Sequence, residues 1–203
     1  MTSLREEYSA RRDKMLLPIA ARLGAHLKGI FDAHARIDRI SVRAKTVERF
    51  IMKAEKQTEG KPKYSDPLNQ IQDQLGARIV TFYKSDVDAL AGEIKKYFRF
   101  IESRQIVPDS EREFGYEGRH FILFIPRDVF DDTVKEDESI PFFELQIKTL
   151  FQHAWSEAEH DLGYKPAGDL SSDQKRRLAF TAAQAWGADQ IFDELYRQTA
   201  STS

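Results

Sequence analysis

Apolar and polar side chains alternate along a short segment that leads into an amphipathic helix, within Phe143–Lys165. The apolar positions are Phe143, Leu145 and Ile147, and the polar positions are Glu144, Gln146 and Lys148. A period of two predicts a β-strand with the apolar side chains on one face and the polar ones on the other. Burying a carboxylate, an amide and an ammonium in a row costs free energy unless that face is wet. The polar face is therefore predicted to line a charged cleft.

Apolar residues at helical spacing predict that residues 4–56 are helical. The last helix of this stretch is predicted to bury Ile40, Ala44, Val47 and Ile51, and to present Lys45, Arg49, Lys53 and Lys56 on another face. Farther along, Ser85 or Asp86 is predicted to cap a helix that reaches about Tyr97.

Three further segments are typical of strands, and a long helix follows them. The strands are predicted over residues 75–83, 98–107 and 119–126. The final helix, from Ser171 or Ser172 to about Gln198, is predicted to bury Leu178, Ala182, Ala185, Ala188, Phe192 and Leu195. Strands placed between helices predict the α+β class, with a mixed β-sheet of about five strands flanked by helices.

The composition narrows the class of protein. The chain has 203 residues, of which 41% are hydrophobic, a formal net charge of −2 and no cysteine. This length fits one domain with helical additions, and the charge creates no global attraction to nucleic acid or membrane. The lack of cysteine excludes disulfides and thiolate metal sites and is compatible with a cytoplasmic protein. A charged N-terminus, and no apolar run of about 20 residues, argue against a signal peptide and a membrane partner.

Two carboxylates and a group of cations are candidates for nucleotide chemistry. Asp73 precedes one predicted strand and Glu144 lies within another, and two such carboxylates together with substrate phosphates can hold Mg²⁺. By residue type alone, a helix or loop cap for Asp73 and a surface ion pair for Glu144 are alternatives. Arg43, Lys45 and Lys53 cluster positive charge that suits a triphosphate, although a solvated basic face has the same pattern.

An aromatic residue and three histidines are further candidates. Tyr116 lies on a glycine-flanked turn, which suits stacking on a nucleobase or packing on the rim of the sheet. His120 opens the strand that follows. His153, Glu157 and His160 stand at positions i, i+4 and i+7, and a transition-metal site is an alternative interpretation of that spacing.

Five motifs follow one another along the chain: R-x-K, D-x-x-G-x-R-I-V, G-Y-x-x-x-H, E-x-Q-I-K-T and H-A-W-x-E-x-E-H-D-L-x-Y-K. Their order resembles the synthetase domain of the RelA/SpoT family, the alarmone (p)ppGpp synthetases, and most of all its small stand-alone members. The resemblance runs from about Arg36 to Lys165. It implies a nucleotidyltransferase-like synthetase core over residues 36–165, after an N-terminal helical segment over residues 1–35 and before a C-terminal helix over residues 166–203.

The resemblance also implies a reaction, the transfer of the β,γ-pyrophosphoryl group of ATP to the ribose 3′-OH of GDP or GTP. Mg²⁺ is the implied cofactor. On the donor side, Arg43 and Arg78 would sandwich the adenine, and Lys45 and Lys53 would hold the ATP phosphates. The implied catalytic residues, which also hold the metal ion, are Asp73 and Glu144.

The acceptor side departs from the family pattern. The residues implied there are Arg112, Tyr116, His120, Gln146 and Lys148, of which Tyr116 would stack on guanine. Phe114 replaces an amide or hydroxyl residue, Gly118 replaces a serine, and Lys148 replaces an arginine and so loses its bidentate fork. The donor-side motifs are intact, so the sequence supports the pyrophosphate donor more firmly than the acceptor.

Two other functions stay open beside (p)ppGpp synthesis. A toxic member of the same superfamily would pyrophosphorylate adenosine nucleotides or the 3′ CCA end of tRNA, and a neutralising antitoxin could accompany it. An inactive nucleotide-sensing or partner-binding module is the third hypothesis, against which Asp73 and Glu144 argue. The C-terminal helix is also a candidate surface for assembly into a homo-oligomer.

Overall fold

Five strands form one mixed sheet at the centre of the protein. In this computed structural model they are β1 (Ile37–Ala44), β4 (Leu75–Thr81), β5 (Phe100–Ile106), β6 (Gly118–Phe124) and β7 (Phe142–Thr149), in the spatial order β1-β4-β7-β6-β5. A separate hairpin pairs β2 (Gln57–Thr58) with β3 (Lys61–Pro62). The structure describes residues 3–31, 33–108, 113–115, 117–131, 140–163 and 170–200. The predicted acceptor-side residues Arg112 and Tyr116 lie outside the described residues.

The strand register brings polar residues of distant segments together. β4 and β7 run parallel, with Gly76 beside Glu144 and Arg78 beside Gln146. β6 pairs antiparallel with the other edge of β7 and places His120 beside Gln146. Because neighbouring residues across a sheet point to the same face, these polar side chains share one surface.

Helices surround this sheet. Those of the described residues are α1 (Leu4–Arg11), α2 (Leu17–Phe31), α3 (Val47–Ala54), α4 (Pro67–Gln70), α5 (Lys84–Tyr97), α6 (Leu150–Gly163) and α7 (Ser172–Ala200). A π-helical turn over Arg12–Leu16 joins α1 to α2, and a 3₁₀ turn over Gln72–Gln74 leads into β4. In the part of the chain that the structure describes, no helix is both long and apolar enough to cross a bilayer.

The apolar face of the sheet forms the core. Phe143, Leu145 and Ile147, the apolar positions of β7, are fully buried. They belong to one hydrophobic cluster that includes residues of α2 and α5, among them Leu23, Leu27, Leu90 and Ile94. The predicted α+β class, with a mixed five-stranded sheet flanked by helices, is confirmed.

The prediction that residues 4–56 are entirely helical is wrong over β1. The apolar positions of this strand alternate with Ser41 and Arg43, and the strand pairs antiparallel with β4. The alternation was present in the sequence, but a spacing of four residues fitted the same apolar side chains and favoured a helix. Arg43 therefore lies on a strand, and Lys45 lies in the turn before α3.

Two predictions about helix side chains are also wrong, the cap of α5 and, on α7, the burial of Phe192 and Leu195, whereas the predicted burial of Ala182 is confirmed. α5 follows Tyr83 without a side-chain cap, and Asp86 instead accepts a hydrogen bond from Arg36 Nε at 2.8 Å. On α7, Phe192 and Leu195 are each 50% exposed. The buried residues of that helix are Ala182, Asp189 and Asp193. Two carboxylates thus occupy the inner face of α7, where an apolar stripe was predicted.

Candidate active site

The polar face of the sheet forms the floor of a cleft of about 940 Å³. Side chains from four strands, from α3 and α6 and from the turns before α3 and β4 converge on it. The predicted site residues that line it are Arg43, Lys45, Lys53, Asp73, Arg78, His120, Glu144, Gln146 and Lys148. The fold therefore gathers every predicted site residue that the structure describes into one cavity. The role of each residue stays a prediction.

Two lysines converge on one carboxylate oxygen in this cleft. Lys45 Nζ and Lys53 Nζ each lie 2.9 Å from Asp73 Oδ2. Burial alone would raise the pKa of Asp73, but the two ammonium groups outweigh burial and hold that pKa below its usual value. Asp73 is therefore ionised at neutral pH, and its two partners leave positive charge in excess for an anion.

Glu144 is held by its neighbours on the sheet. His120 Nδ1 lies 3.0 Å from Glu144 Oε1, and Gln146 Nε2 donates to Glu144 Oε2 at 3.2 Å. Burial would raise the pKa of Glu144, but the contact with His120 outweighs burial and lowers it. The charge of nearby Asp73 acts in the opposite direction and raises the pKa of Glu144, which indicates that the two carboxylates feel each other's field.

The pair Asp73 and Glu144 fits a magnesium ion. Among the described residues, Asp73 Oδ1 is buried and has no hydrogen-bond partner, so it remains available as a ligand. Mg²⁺ prefers carboxylate oxygens and is commonly bound by one or two carboxylates plus substrate phosphates. The ionised state of both groups agrees with that chemistry.

A second ion pair closes over the cleft from α6. Arg78 Nη1 donates to Glu157 Oε1 at 2.6 Å and lies 3.1 Å from His153 Nδ1. Burial, and then the positive charge of Arg78, lower the pKa of His153. Within the described ranges, no group of three or more His, Cys, Asp or Glu side chains could hold a metal ion. The transition-metal interpretation of the His153, Glu157 and His160 spacing is therefore wrong, because two of these side chains contact an arginine instead.

Lys148 is an unusual cation because its residue is only 2% exposed. Its Nζ donates to Ser156 Oγ at 2.9 Å, and Ser156 in turn donates to the carbonyl oxygen of His153. Burial, and then the positive charge of Arg78, lower the pKa of Lys148 to about 7. The ammonium and neutral amine forms of Lys148 are therefore both populated near neutral pH.

Comparison with known proteins identifies the family. The region found in RelA / SpoT proteins matches residues 42–169. The chain belongs to the RelA/SpoT family. The chain is also similar to GTP pyrophosphokinase YjbM of Bacillus subtilis (strain 168), at 27% identity over 169 residues, which cover 81% of this chain and 74% of the relative. This homology confirms the predicted enzyme class, a pyrophosphotransferase.

Solved structures support the same fold. Small alarmone synthetase 1 from Bacillus subtilis superposes with a TM-score of 0.77 at 23% identity, over 95% of this chain and 99% of that one. A structure of that synthetase bound to its product pppGpp gives a TM-score of 0.73 at 23% identity, over 93% and 98% of the two chains. At this level of identity the likeness establishes the fold alone.

The cleft also contains residues that sequence reasoning left unassigned or interpreted differently. Ser156 and Glu157 of α6 line it and hold Lys148 and Arg78, respectively. The sequence pointed to Glu157 only through its motif and its spacing from His153, and a lone serine on α6 carried no signal that Ser156 is buried against Lys148. Helices α1 and α2 lie outside the region matched to RelA/SpoT proteins.

Proposed function

We propose that this protein transfers the β,γ-pyrophosphoryl group of ATP to the ribose 3′-OH of GDP or GTP, forming (p)ppGpp and AMP. The observation that carries the proposal is the convergence of Lys45 and Lys53 on Asp73, in the same cleft as Glu144. Excess positive charge beside two ionised carboxylates suits a triphosphate and its metal ion. Membership of the RelA/SpoT family and kinship with a GTP pyrophosphokinase support the same assignment.

The donor nucleotide would lie along β1, β4 and α3. Arg43 and Arg78 lie on these neighbouring strands and present planar guanidinium groups that can stack on adenine. Lys45 and Lys53 would exchange Asp73 for the ATP phosphates. Asp73 and Glu144 would then hold Mg²⁺, which when bound neutralises charge on the transferring phosphoryl groups.

The acceptor hydroxyl would approach from the β6 and β7 side of the cleft. A bond forms between the 3′-oxygen and the β-phosphorus of ATP, the bond from that phosphorus to the oxygen bridging it to the α-phosphorus breaks, and AMP leaves. The 3′-OH proton passes to a carboxylate. We assign that proton to Glu144, because it lies beside His120 and Gln146 on the side of the cleft from which the acceptor would approach. Such transfer rests mainly on positioning and charge neutralisation.

Thin-layer chromatography with γ-³²P-ATP and Mg²⁺ tests the proposal. GDP, GTP, ADP, AMP and bulk tRNA are supplied in separate reactions, with Asp73→Asn as the inactive control. Label on GDP or GTP supports alarmone synthesis. Label only on adenosine nucleotides or tRNA would overturn the proposed acceptor and direct attention to a neutralising antitoxin, and no transfer to any acceptor would favour the inactive module.

We also propose that α7 joins two copies of this chain. Phe180, Ile191 and Leu195 are each at least half exposed and share one face of this helix, because eleven and four residues are close to whole numbers of turns. Several large apolar side chains exposed on one face of a helix are typical of an interface. Light scattering during size-exclusion chromatography should show a dimer or larger assembly that Ile191→Glu dissociates and Lys175→Glu, on the same helix, does not. A monomeric wild-type protein would contradict the proposal.

A further inference from the structure

The N-terminal helix α1 contacts the backbone of two segments, the turn that carries Lys45 and the segment that precedes Asp73. Tyr8 is fully buried, and its hydroxyl donates to the carbonyl oxygen of Lys45 at 2.9 Å. Its ring stacks on Phe50 of α3, with ring centroids 3.7 Å apart and planes 2° from parallel. Burial raises the pKa of the Tyr8 hydroxyl, so this group stays protonated and keeps donating.

The backbone of Lys45 is thereby held on both sides. Its N–H donates to the carbonyl oxygen of Gln74 at 2.8 Å, and its own carbonyl oxygen accepts from Tyr8. Thr46, the next residue, caps α3 by accepting a hydrogen bond from the Arg49 N–H. The turn that carries Lys45 is therefore hydrogen-bonded to the segment of Asp73 through its N–H and to α1 through its carbonyl oxygen.

The second contact of α1 reaches the segment that precedes Asp73. Arg11 Nη1 donates to the carbonyl oxygen of Leu68 at 2.6 Å. The same oxygen accepts from Gln74 Nε2 at 2.8 Å, and Gln74 Nε2 also donates to the carbonyl oxygen of Ile71. One turn of α1 thus connects to both chain segments that meet at the Lys45–Asp73 ion pair.

We propose that Tyr8 and Arg11 are positioning residues of the ATP site, which set the position of Lys45 against Asp73 through the backbone and thereby determine the affinity for the donor triphosphate. This inference rests on the proposed function, because it assumes that Lys45 holds ATP phosphates. Both residues precede the matched region that begins at residue 42, so the family match assigns them no role. Neither side chain lines the cleft, so each acts through Lys45 or Asp73 rather than on the substrate.

Tyr8→Phe is the variant that isolates the hydroxyl, because it keeps the ring and its stacking on Phe50. We expect the KM for ATP to rise about three- to tenfold, the equivalent of one lost hydrogen bond, while kcat and the acceptor KM stay near wild type. Arg11→Met should raise the same KM, and Arg11→Lys should restore part of the loss. Tyr97→Phe removes a hydroxyl from a tyrosine that is 64% exposed and should leave the KM unchanged.

A stability control separates positioning from general destabilisation. Phe31→Leu trims a buried ring at the end of α2 that packs against His34, and it should lower the melting temperature. If Phe31→Leu raises the KM for ATP as much as Tyr8→Phe does, or if Tyr8→Phe leaves that KM unchanged, the inference is overturned.

Calorimetric titration with a nonhydrolysable ATP analogue measures whether Tyr8 and Lys45 affect binding through the same contact. If Tyr8 acts through Lys45, Tyr8→Phe should weaken binding in the wild-type background and have no further effect in Lys45→Met. Independent, additive losses in the double variant would overturn the inference while leaving the ATP site in place. If the wild-type protein does not bind the analogue, the proposed donor itself is wrong, and the inference fails with it.

Discussion

At the residue scale, the cleft contains one charged side chain whose charge is stabilised by its neighbours, Asp73, and one whose charge is destabilised, Lys148. Asp73 is half-buried yet kept ionised, because two ammonium groups compensate its desolvation. Lys148 is buried with a hydroxyl partner and with Arg78 nearby, so its proton is held weakly. The first arrangement suits a permanent negative charge, and the second creates a site whose charge depends on pH.

Asp73→Asn and Glu144→Gln each remove a carboxylate without changing its shape. We expect turnover to fall by on the order of 10²–10³-fold or more, because these groups are proposed to stabilise charge in the transition state. Circular dichroism should show that both variants stay folded. Turnover close to wild type in either variant would contradict the two-carboxylate site.

Lys148→Met tests the depressed pKa of Lys148. The folded protein releases this proton near pH 7 whereas the unfolded chain keeps it to about pH 10.5, so wild-type stability gains as pH rises between these values. The melting temperature of Lys148→Met relative to wild type should therefore be highest below pH 7 and should decline towards pH 10. Lys175→Met, on the exposed side of α7, should show no such trend, and an identical trend in both variants would refute the burial argument.

At the element scale, α7 is docked by polar contacts. Asp189 Oδ2 accepts from Thr149 Oγ1 at 2.8 Å, and Asp193 Oδ1 accepts from the Ser85 N–H at 2.8 Å. The ring of Tyr196 stacks on Tyr83 at a centroid distance of 4.4 Å. These contacts explain how the helix can bury two carboxylates and leave its larger apolar side chains exposed.

The two carboxylates of α7 are expected to affect stability in opposite directions. Burial raises the pKa of Asp189 to about 6, so its charged form destabilises the fold above pH 6, and Asp189→Asn should raise the melting temperature at pH 8 but not at pH 4. For Asp193, burial is outweighed by hydrogen bonds from Ser85 and the charge of Arg197, which lower its pKa. Asp193→Asn should therefore lower the melting temperature at pH 8. Differential scanning fluorimetry of both variants checks the signs, and two shifts in the same direction would contradict this account.

At the scale of the whole molecule, the fold class and the residues of the cleft could be predicted from the sequence. The type of each helix or strand that carries those residues was predicted less well. The alternation over β7 predicted both of its faces, and ordered motifs located residues that the fold then brought together. β1 was missed because its apolar residues fit both a period of two and a helical spacing, and only the pairing with β4 decides between them. The contacts of Tyr8 and Arg11 were equally inaccessible, since they join residues more than 35 positions apart in sequence through backbone carbonyl oxygens.

In the nucleotide-free cleft the carboxylate of Asp73 forms ion pairs with Lys45 and Lys53, the two lysines proposed to bind the ATP phosphates. Nucleotide entry is therefore a competition between two anions for the same cations. Removing the internal competitor should help a free nucleotide even though it stops catalysis. In EDTA, Asp73→Asn is expected to bind the nonhydrolysable ATP analogue more tightly than wild type does, as measured by calorimetry. That result would mean that Asp73 lowers the affinity for metal-free nucleotide, so that tight binding of ATP depends on the metal ion.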